Sequence, residues 1–267
     1  INDFKNISYK IVAESLYGDN NNDQILKSFT KKIDDTNFLQ SKYYSEYKQN
    51  LQDYKNISSC PMMRLKTLLY YSNQFKDDKT SIIDDQIPHW FGPFIFIINY
   101  LIPNLLCIIL NFKNINGKLM DEINRSDFSI YKTNTYLHYC VIEHIRLFNT
   151  ININIQRSVK KDMTYNGIQL KKDDQIFILF SSILRNKDEF QKPDHFIPER
   201  WENKSIKDQE IVFGIGPQQC PSKTITPIYY KSILYELLSK FSYKDVYPKL
   251  DNKELYFINP YEIRFSI

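Results

Sequence analysis

The chain predicts a mainly α-helical fold with small β-sheets, and three observations carry that reading. An uncharged, apolar run from Trp90 to Phe112 is long enough for a fully buried helix. Two other stretches, 136–149 and about 222–241, read as helices. Between those two, Arg157 to Ile176 reads as a strand, an Asn166-Gly167 turn and a second strand.

Composition agrees with one compact body. Hydrophobic residues make up 42% of the 267 positions and aromatics 15%, enough for a single large core. A net charge of +4 without a dense basic run argues against a nucleic-acid surface. The four cysteines, Cys60, Cys107, Cys140 and Cys220, have no paired spacing for zinc, and fit a reducing compartment. Asparagine-rich Asp19–Asp23 reads as a solvated loop. No internal repeat and no linker stand out, so residues 1–267 read as a single domain.

In order, residues 1–88 read as helical with polar loops. The run from Trp90 to Phe112 is expected to continue into the Asn124 region as one long helix, kinked at Pro103, whose ring removes a backbone hydrogen bond. The run is also long enough to span a membrane, but Pro103 and three asparagines, Asn99, Asn104 and Asn111, weigh against that. On helix 136–149, Glu143 and Arg146 are three apart and share a face, so one guanidinium fork can serve the carboxylate and a third partner. Strands are expected within 151–180, then an irregular meander to 219 and a helix from about 222 to 241. Glu254–Ile258 and Tyr261–Phe265 alternate like a closing hairpin.

The densest signal is Phe213-Gly214-Ile215-Gly216-Pro217-Gln218-Gln219-Cys220. Two glycines permit positive φ and close backbone approach, and a single cysteine ends the turn just before a helix. The positive end and free N–H groups of such a helix suit a thiolate. A thiolate held this way can serve as the axial ligand of a haem iron.

Taken together, Glu143-x-x-Arg146, the hairpin, Phe196-Ile197-Pro198-Glu199-Arg200-Trp201, Phe213-x-x-Gly216-x-x-x-Cys220 and a last helix resemble the cytochrome P450 superfamily of haem-thiolate enzymes. The resemblance is dense from about 136 to 245 and weaker over 1–135. It implies the C-terminal two-thirds of the cytochrome P450 fold. Residues 1–135 would be a helical region including the long helix over the haem. Residues 136–267 would supply the Glu-x-x-Arg helix, strands, meander, cysteine loop and last helix. It further implies haem b with Cys220 as the iron ligand, Phe213 shielding the sulfur, and Gly214 and Gly216 shaping the loop. Gln218 and Arg157 take positions that serve haem propionates, while Glu143, Arg146 and Arg200 match a buried structural network. A small lipophilic substrate and an electron-donor reductase are the implied partners. Relatives are often anchored to the endoplasmic reticulum by an N-terminal helix, so the expected place is the cytoplasmic side of that membrane.

Several departures bear on function. Gln218 stands where the family usually has Arg or His, and a neutral amide donates a bond roughly half as strong. Ser222 stands where glycine or another small residue is usual. From Trp90 to Phe112 there is no Asp, Glu, Ser or Thr, whereas monooxygenases of the family carry an acid and a threonine there that hand protons toward the haem. The family's N-terminal third is not in the sequence, which reads as a fragment or a degenerate copy. The expectations are therefore a monooxygenase by family default, a peroxide-using isomerase, dehydratase or peroxygenase, or an inactive remnant or membrane protein. Under the second, the amide of Asn99 or Asn104 would touch substrate oxygens.

Overall fold

The computed structural model of the chain describes residues 93–94, 96–148, 155–251, 255 and 258–267. The helical reading of 1–88 lies outside these residues, as does Cys60. The chain divides into two compact units, Ile1–Leu101 and Ile102–Ile267. In the first, Ile97–Leu101 form a π-helical turn in which Ile97, Ile98 and Asn99 are buried.

The second unit begins with α1 (Ile102–Asn111) and α2 (Lys113–Ile123). Pro103 is the second residue of α1 and directly follows the π-helical turn, to whose carbonyls its ring offers no N–H. The single long helix expected from 90 to the Asn124 region is not formed. The helical path ending at Asn111 and the one starting at Lys113 meet at 105°, and Phe112 between them is extended, with φ −104° and ψ 94°. The cause is a tertiary tether at Asn111. Its amide donates to Cys107 O at 2.9 Å and to Pro248 O at 3.0 Å, and its Oδ1 accepts from Leu250 N at 3.0 Å. Among the described residues, no single helix is long and apolar enough to cross a membrane.

Helix α3 (Tyr136–Leu147) is the centre of this unit: every residue from Leu137 to Leu147 is buried. A helix start leaves N–H groups without partners, and here side chains meet them. Thr135 Oγ1 accepts from His138 N at 3.2 Å, while the Glu122 carboxylate at the end of α2 accepts from Tyr136 N and Leu137 N at 2.6 and 2.9 Å. A carboxylate there also suits the positive end of the helix.

The expected strands form two nested ladders. β1 (Ile155–Ser158) pairs antiparallel with β4 (Gln175–Ile178), and β2 (Met163–Tyr165) with β3 (Ile168–Leu170). Asn166 and Gly167, at φ 47° and 80°, make the inner turn, and paired positive φ values match the strand twist. A short helix α4 (Phe180–Ile183), a 3-10 turn at Pro198–Trp201, α5 (Ile206–Gln209) and a second 3-10 turn at Glu210–Phe213 occupy the meander. Helix α6 (Ile225–Lys240) starts three residues later than expected, because Pro221–Thr224 form a turn.

Of the expected closing hairpin, Glu254, Tyr256 and Phe257 lie outside the described residues. Among the described residues the last strand, β6 (Arg264–Ser266), pairs with β5 (Asp245–Tyr247). Val246 of β5 is buried, as are Leu255, Ile258 and Ile263, so apolar burial over a longer range decides the pairing.

Two histidines on α3 are locked in neutral form. His138 Nε2 lies 2.9 Å from Gln209 Oε1, and His144 Nε2 lies 3.1 Å from Asn104 Oδ1. Burial, aided by the nearby Lys231 charge, pushes His138 down to about 4; burial alone pushes His144 down to about 3. A histidine with a depressed pKa binds its proton more readily in the unfolded chain. Stability is therefore complete above pH 6.5 and falls as pH drops toward 4, by about 1.4 kcal/mol per pH unit for each ring. Melting temperatures at pH 7 and pH 4.5 check this, and His144→Gln should flatten the dependence. A pH-independent melting temperature over that range would overturn it.

Candidate functional site

Two constellations sit on this frame. The first is centred on Glu143, which is 0% exposed. Its Oε1 accepts from Arg146 Nη2 at 2.9 Å, Arg200 Nε at 2.9 Å and Ile197 N at 3.0 Å; Oε2 accepts from Arg146 Nε and Trp201 Nε1, both at 2.9 Å. Arg146 uses its remaining donors on Leu184 O, Pro193 O and His195 O at 2.8, 2.7 and 3.2 Å. Arg200 reaches Gln191 O and Lys192 O at 3.1 and 3.3 Å. The Phe190 ring lies 5.0 Å from the Arg146 guanidinium and 5.9 Å from that of Arg200. The structure thus brings Glu143, Arg146 and Arg200 together. With every donor of Arg146 committed, they fasten α3 to the irregular segment 184–201.

The second constellation is the cysteine loop. Gly214 and Gly216 have φ of 82° and 95°, a region closed to most side chains, and a Cβ at either would meet nothing within 4 Å. Open space therefore lies against the loop. The Phe213 carbonyl accepts from Cys220 N at 2.9 Å, Gly216 O accepts from Gln219 N at 3.0 Å, and Lys223 N donates to Cys220 O at 3.3 Å. Lys223 Nζ pins the base of the loop, donating to Glu210 Oε2 at 2.7 Å and Gln219 Oε1 at 2.9 Å. Cys220 is partly exposed, and its sulfur lies 3.2 Å from Ser222 Oγ. Between the glycines Ile215 is 81% exposed, an apolar side chain held outward.

Other candidate residues are placed separately. Arg157 is half-buried on β1 and donates to Gln156 O at 2.8 Å, with no ion pair to a described residue. Gln218 is exposed at the loop tip. Asn99 is 2% exposed in the π-helical turn of the first unit, with no partner for Oδ1 among the described residues. Asn104 is committed inside the second unit, its Nδ2 donating to Ile258 O at 3.4 Å and its Oδ1 meeting His144. That commitment removes it as a free substrate-contacting amide.

Spacing alone does not single out the Trp201 indole as a ligand of Glu143, because its bond spans 58 residues of chain. Nor does it reveal Thr226 Oγ1, which donates to Ser222 Oγ at 3.0 Å and extends the polar contacts of Cys220. Cys107 and Cys140 are buried free thiols; burial pushes Cys107 up to about 11 and Cys140 well above the ordinary range. Neither is suited to act as a thiolate.

A haem fits what is present. Among the described residues no three His, Cys, Asp or Glu side chains gather to hold a bare metal ion. One soft, partly exposed sulfur on a braced loop, whose glycines leave open space and whose Ile215 is exposed, suits a metal whose other ligands come from a flat apolar macrocycle.

Comparison with known proteins agrees with this reading. The family model described as Cytochrome P450 matches residues 114–264. A beta-amyrin 16-alpha-hydroxylase of Maesa lanceolata is 29% identical over 119 residues, 43% of this chain and 25% of that protein. An abscisic acid 8'-hydroxylase 2 of Oryza sativa subsp. indica is 23% identical over 191 residues, 64% of this chain and 38% of its own length. Cytochrome P450 3A25 of Mus musculus is 31% identical over 140 residues, 48% of this chain and 28% of that protein. The chain therefore spans between 25% and 38% of the length of these relatives.

Proposed function

The chain belongs to the cytochrome P450 family, and from that premise we propose that it is part of a haem-thiolate monooxygenase. Its substrate would be a small lipophilic molecule, and its electrons would come from a reductase. The observation that carries the reading is the loop that holds the Cys220 sulfur partly exposed, braced by Phe213 O and by Lys223. Relatives named as hydroxylases support the reaction type.

When bound, haem supplies an iron centre that activates an oxidant for attack on an unreactive carbon. Residues of this chain would hold and orient it. Cys220 would hold the iron as a thiolate and Phe213 would cover the sulfur. Gln218 and Arg157 would offer N–H donors to propionates, Arg157 with charge assistance and Gln218 without it. The Glu143 network stands apart from the chemistry and keeps α3 fixed against the segment 184–201.

The assignment predicts that the reduced, haem-loaded protein with carbon monoxide shows the red-shifted Soret band of a thiolate adduct. Cys220→Ala is expected to abolish that band. An unchanged spectrum in the variant would remove Cys220 from the iron.

A second reading keeps the haem and changes the oxidant. The stretch from Trp90 to Phe112 contains no Asp, Glu, Ser or Thr, so the acid and threonine that pass protons in monooxygenases of the family have no counterpart there. That favours a peroxide-using enzyme, whose O–O bond is supplied ready-made.

A further inference from the structure

We propose that Ser222, oriented by Thr226, donates a hydrogen bond to the Cys220 sulfur and so moderates how strongly that sulfur donates to a metal. The inference rests on the haem-thiolate reading above. Ser222 Oγ lies 3.2 Å from Cys220 Sγ, and Thr226 Oγ1 donates to Ser222 Oγ at 3.0 Å. Thr226 is 4% exposed, so water does not compete freely for its hydroxyl. Its N–H also donates to Ser222 O at 2.8 Å, which locks the two residues in register at the start of α6.

These contacts settle the direction of the chain of hydroxyls. A serine hydroxyl has one proton and two lone pairs. The Thr226 proton occupies one lone pair, leaving the Ser222 proton to be placed. A cysteine sulfur that ligates a metal has given up its proton and can only accept. The bonds therefore run one way, from Thr226 to Ser222 to the sulfur, and each polarises the next.

The delayed start of α6 makes this possible. Pro221–Thr224 form a turn rather than helix, and within it Lys223 N donates to Cys220 O while Lys223 Nζ holds Glu210 and Gln219. That turn carries the Ser222 side chain back to the sulfur two residues earlier. A glycine at 222 would place no side-chain donor there. Partners that bond to a ligand atom tune the metal it binds, and bonds to a ligating cysteine sulfur shift reduction potential.

The test uses the haem-loaded full chain, with two readouts: reduction potential by spectroelectrochemical titration and iron–sulfur stretching frequency by resonance Raman. Ser222→Ala is expected to shift the potential downward and the stretch upward. Thr226→Val shifts both in the same directions by less, and Ser222→Thr, which keeps the hydroxyl, stays near the parent values. Ser232→Ala is the control, because that hydroxyl bonds Ile228 O at 2.8 Å, further along α6. An equal shift in the control overturns the proposal. So does a Ser222→Ala protein with unchanged potential and stretch, while leaving the haem-thiolate reading intact. A parent protein without an iron–sulfur stretch that Cys220→Ala removes overturns both.

Discussion

Replacing Glu143 with glutamine lowers the unfolding free energy by about 3–5 kcal/mol, read as a lower melting temperature or urea midpoint. Glutamine keeps the shape of the carboxylate but loses its charge and replaces one acceptor oxygen with an NH₂ donor. Five donors converge on this carboxylate, from Arg146, Arg200, Trp201 and the Ile197 backbone. An NH₂ in place of Oε2 would face Arg146 Nε and the Trp201 indole, donor against donor. An NH₂ in place of Oε1 would face more of them. Arg146, 1% exposed, would keep a buried charge without its counter-ion. Arg200→Lys should cost less, because that side chain is 12% exposed and an ammonium retains part of the attraction while losing the fork. An unaltered midpoint for Glu143→Gln would show that the network carries little of the fold's stability.

The second large effect concerns the oxidant. On the peroxide-using reading, with the complete protein and its haem, product formation per haem should be poor with a reductase, NADPH and O₂, and measurable with hydrogen peroxide or a lipid hydroperoxide. A positioned general acid typically contributes roughly 10²–10⁴-fold to a step that needs a proton. From Trp90 to Phe112 this chain offers no carboxylic acid, serine or threonine, and the two asparagines described nearest that stretch's centre are both buried. Asn104 is bonded internally to Ile258 O and His144, and an amide does not replace a carboxylic acid as a proton source. A peroxide already contains the O–O bond and avoids the missing step. Fast reductase-coupled hydroxylation would show that protons arrive by another route, and the peroxide reading would fall.

What could be read from the sequence follows the range of the interactions involved. The Asn166-Gly167 turn was legible because its geometry is set by two residues. Glu143 and Arg146 were legible because helical spacing alone puts them on one face, and Arg200 because it lies in a recognisable motif. The break at Phe112 was not legible: a change from apolar to polar residues does not by itself end a helix, and the tether that does so joins Asn111 to Pro248 and Leu250. The partner of β6 was missed for the same reason, since alternation says that a strand forms and not which strand it meets. At the cysteine loop, the glycines and Cys220 stood out by pattern. The Thr226–Ser222 pair emerged only once the helix start was fixed at Ile225.

The Glu143 network also has a consequence for the way this part of the chain orders itself. Its bonds to Ile197, Arg200 and Trp201 close loops of 54, 57 and 58 residues. Bringing together chain ends that far apart costs about 3–4 kcal/mol of configurational entropy, growing only with the logarithm of length. That cost falls on whichever bond forms first; the other two then close over distances of one to a few residues. A single long-range bond to Glu143 would barely offset its own closure, whereas three sharing one closure do. The carboxylate therefore gathers segment 184–201 as a unit, and intermediates with only one of the three contacts are the least favoured arrangements of this region.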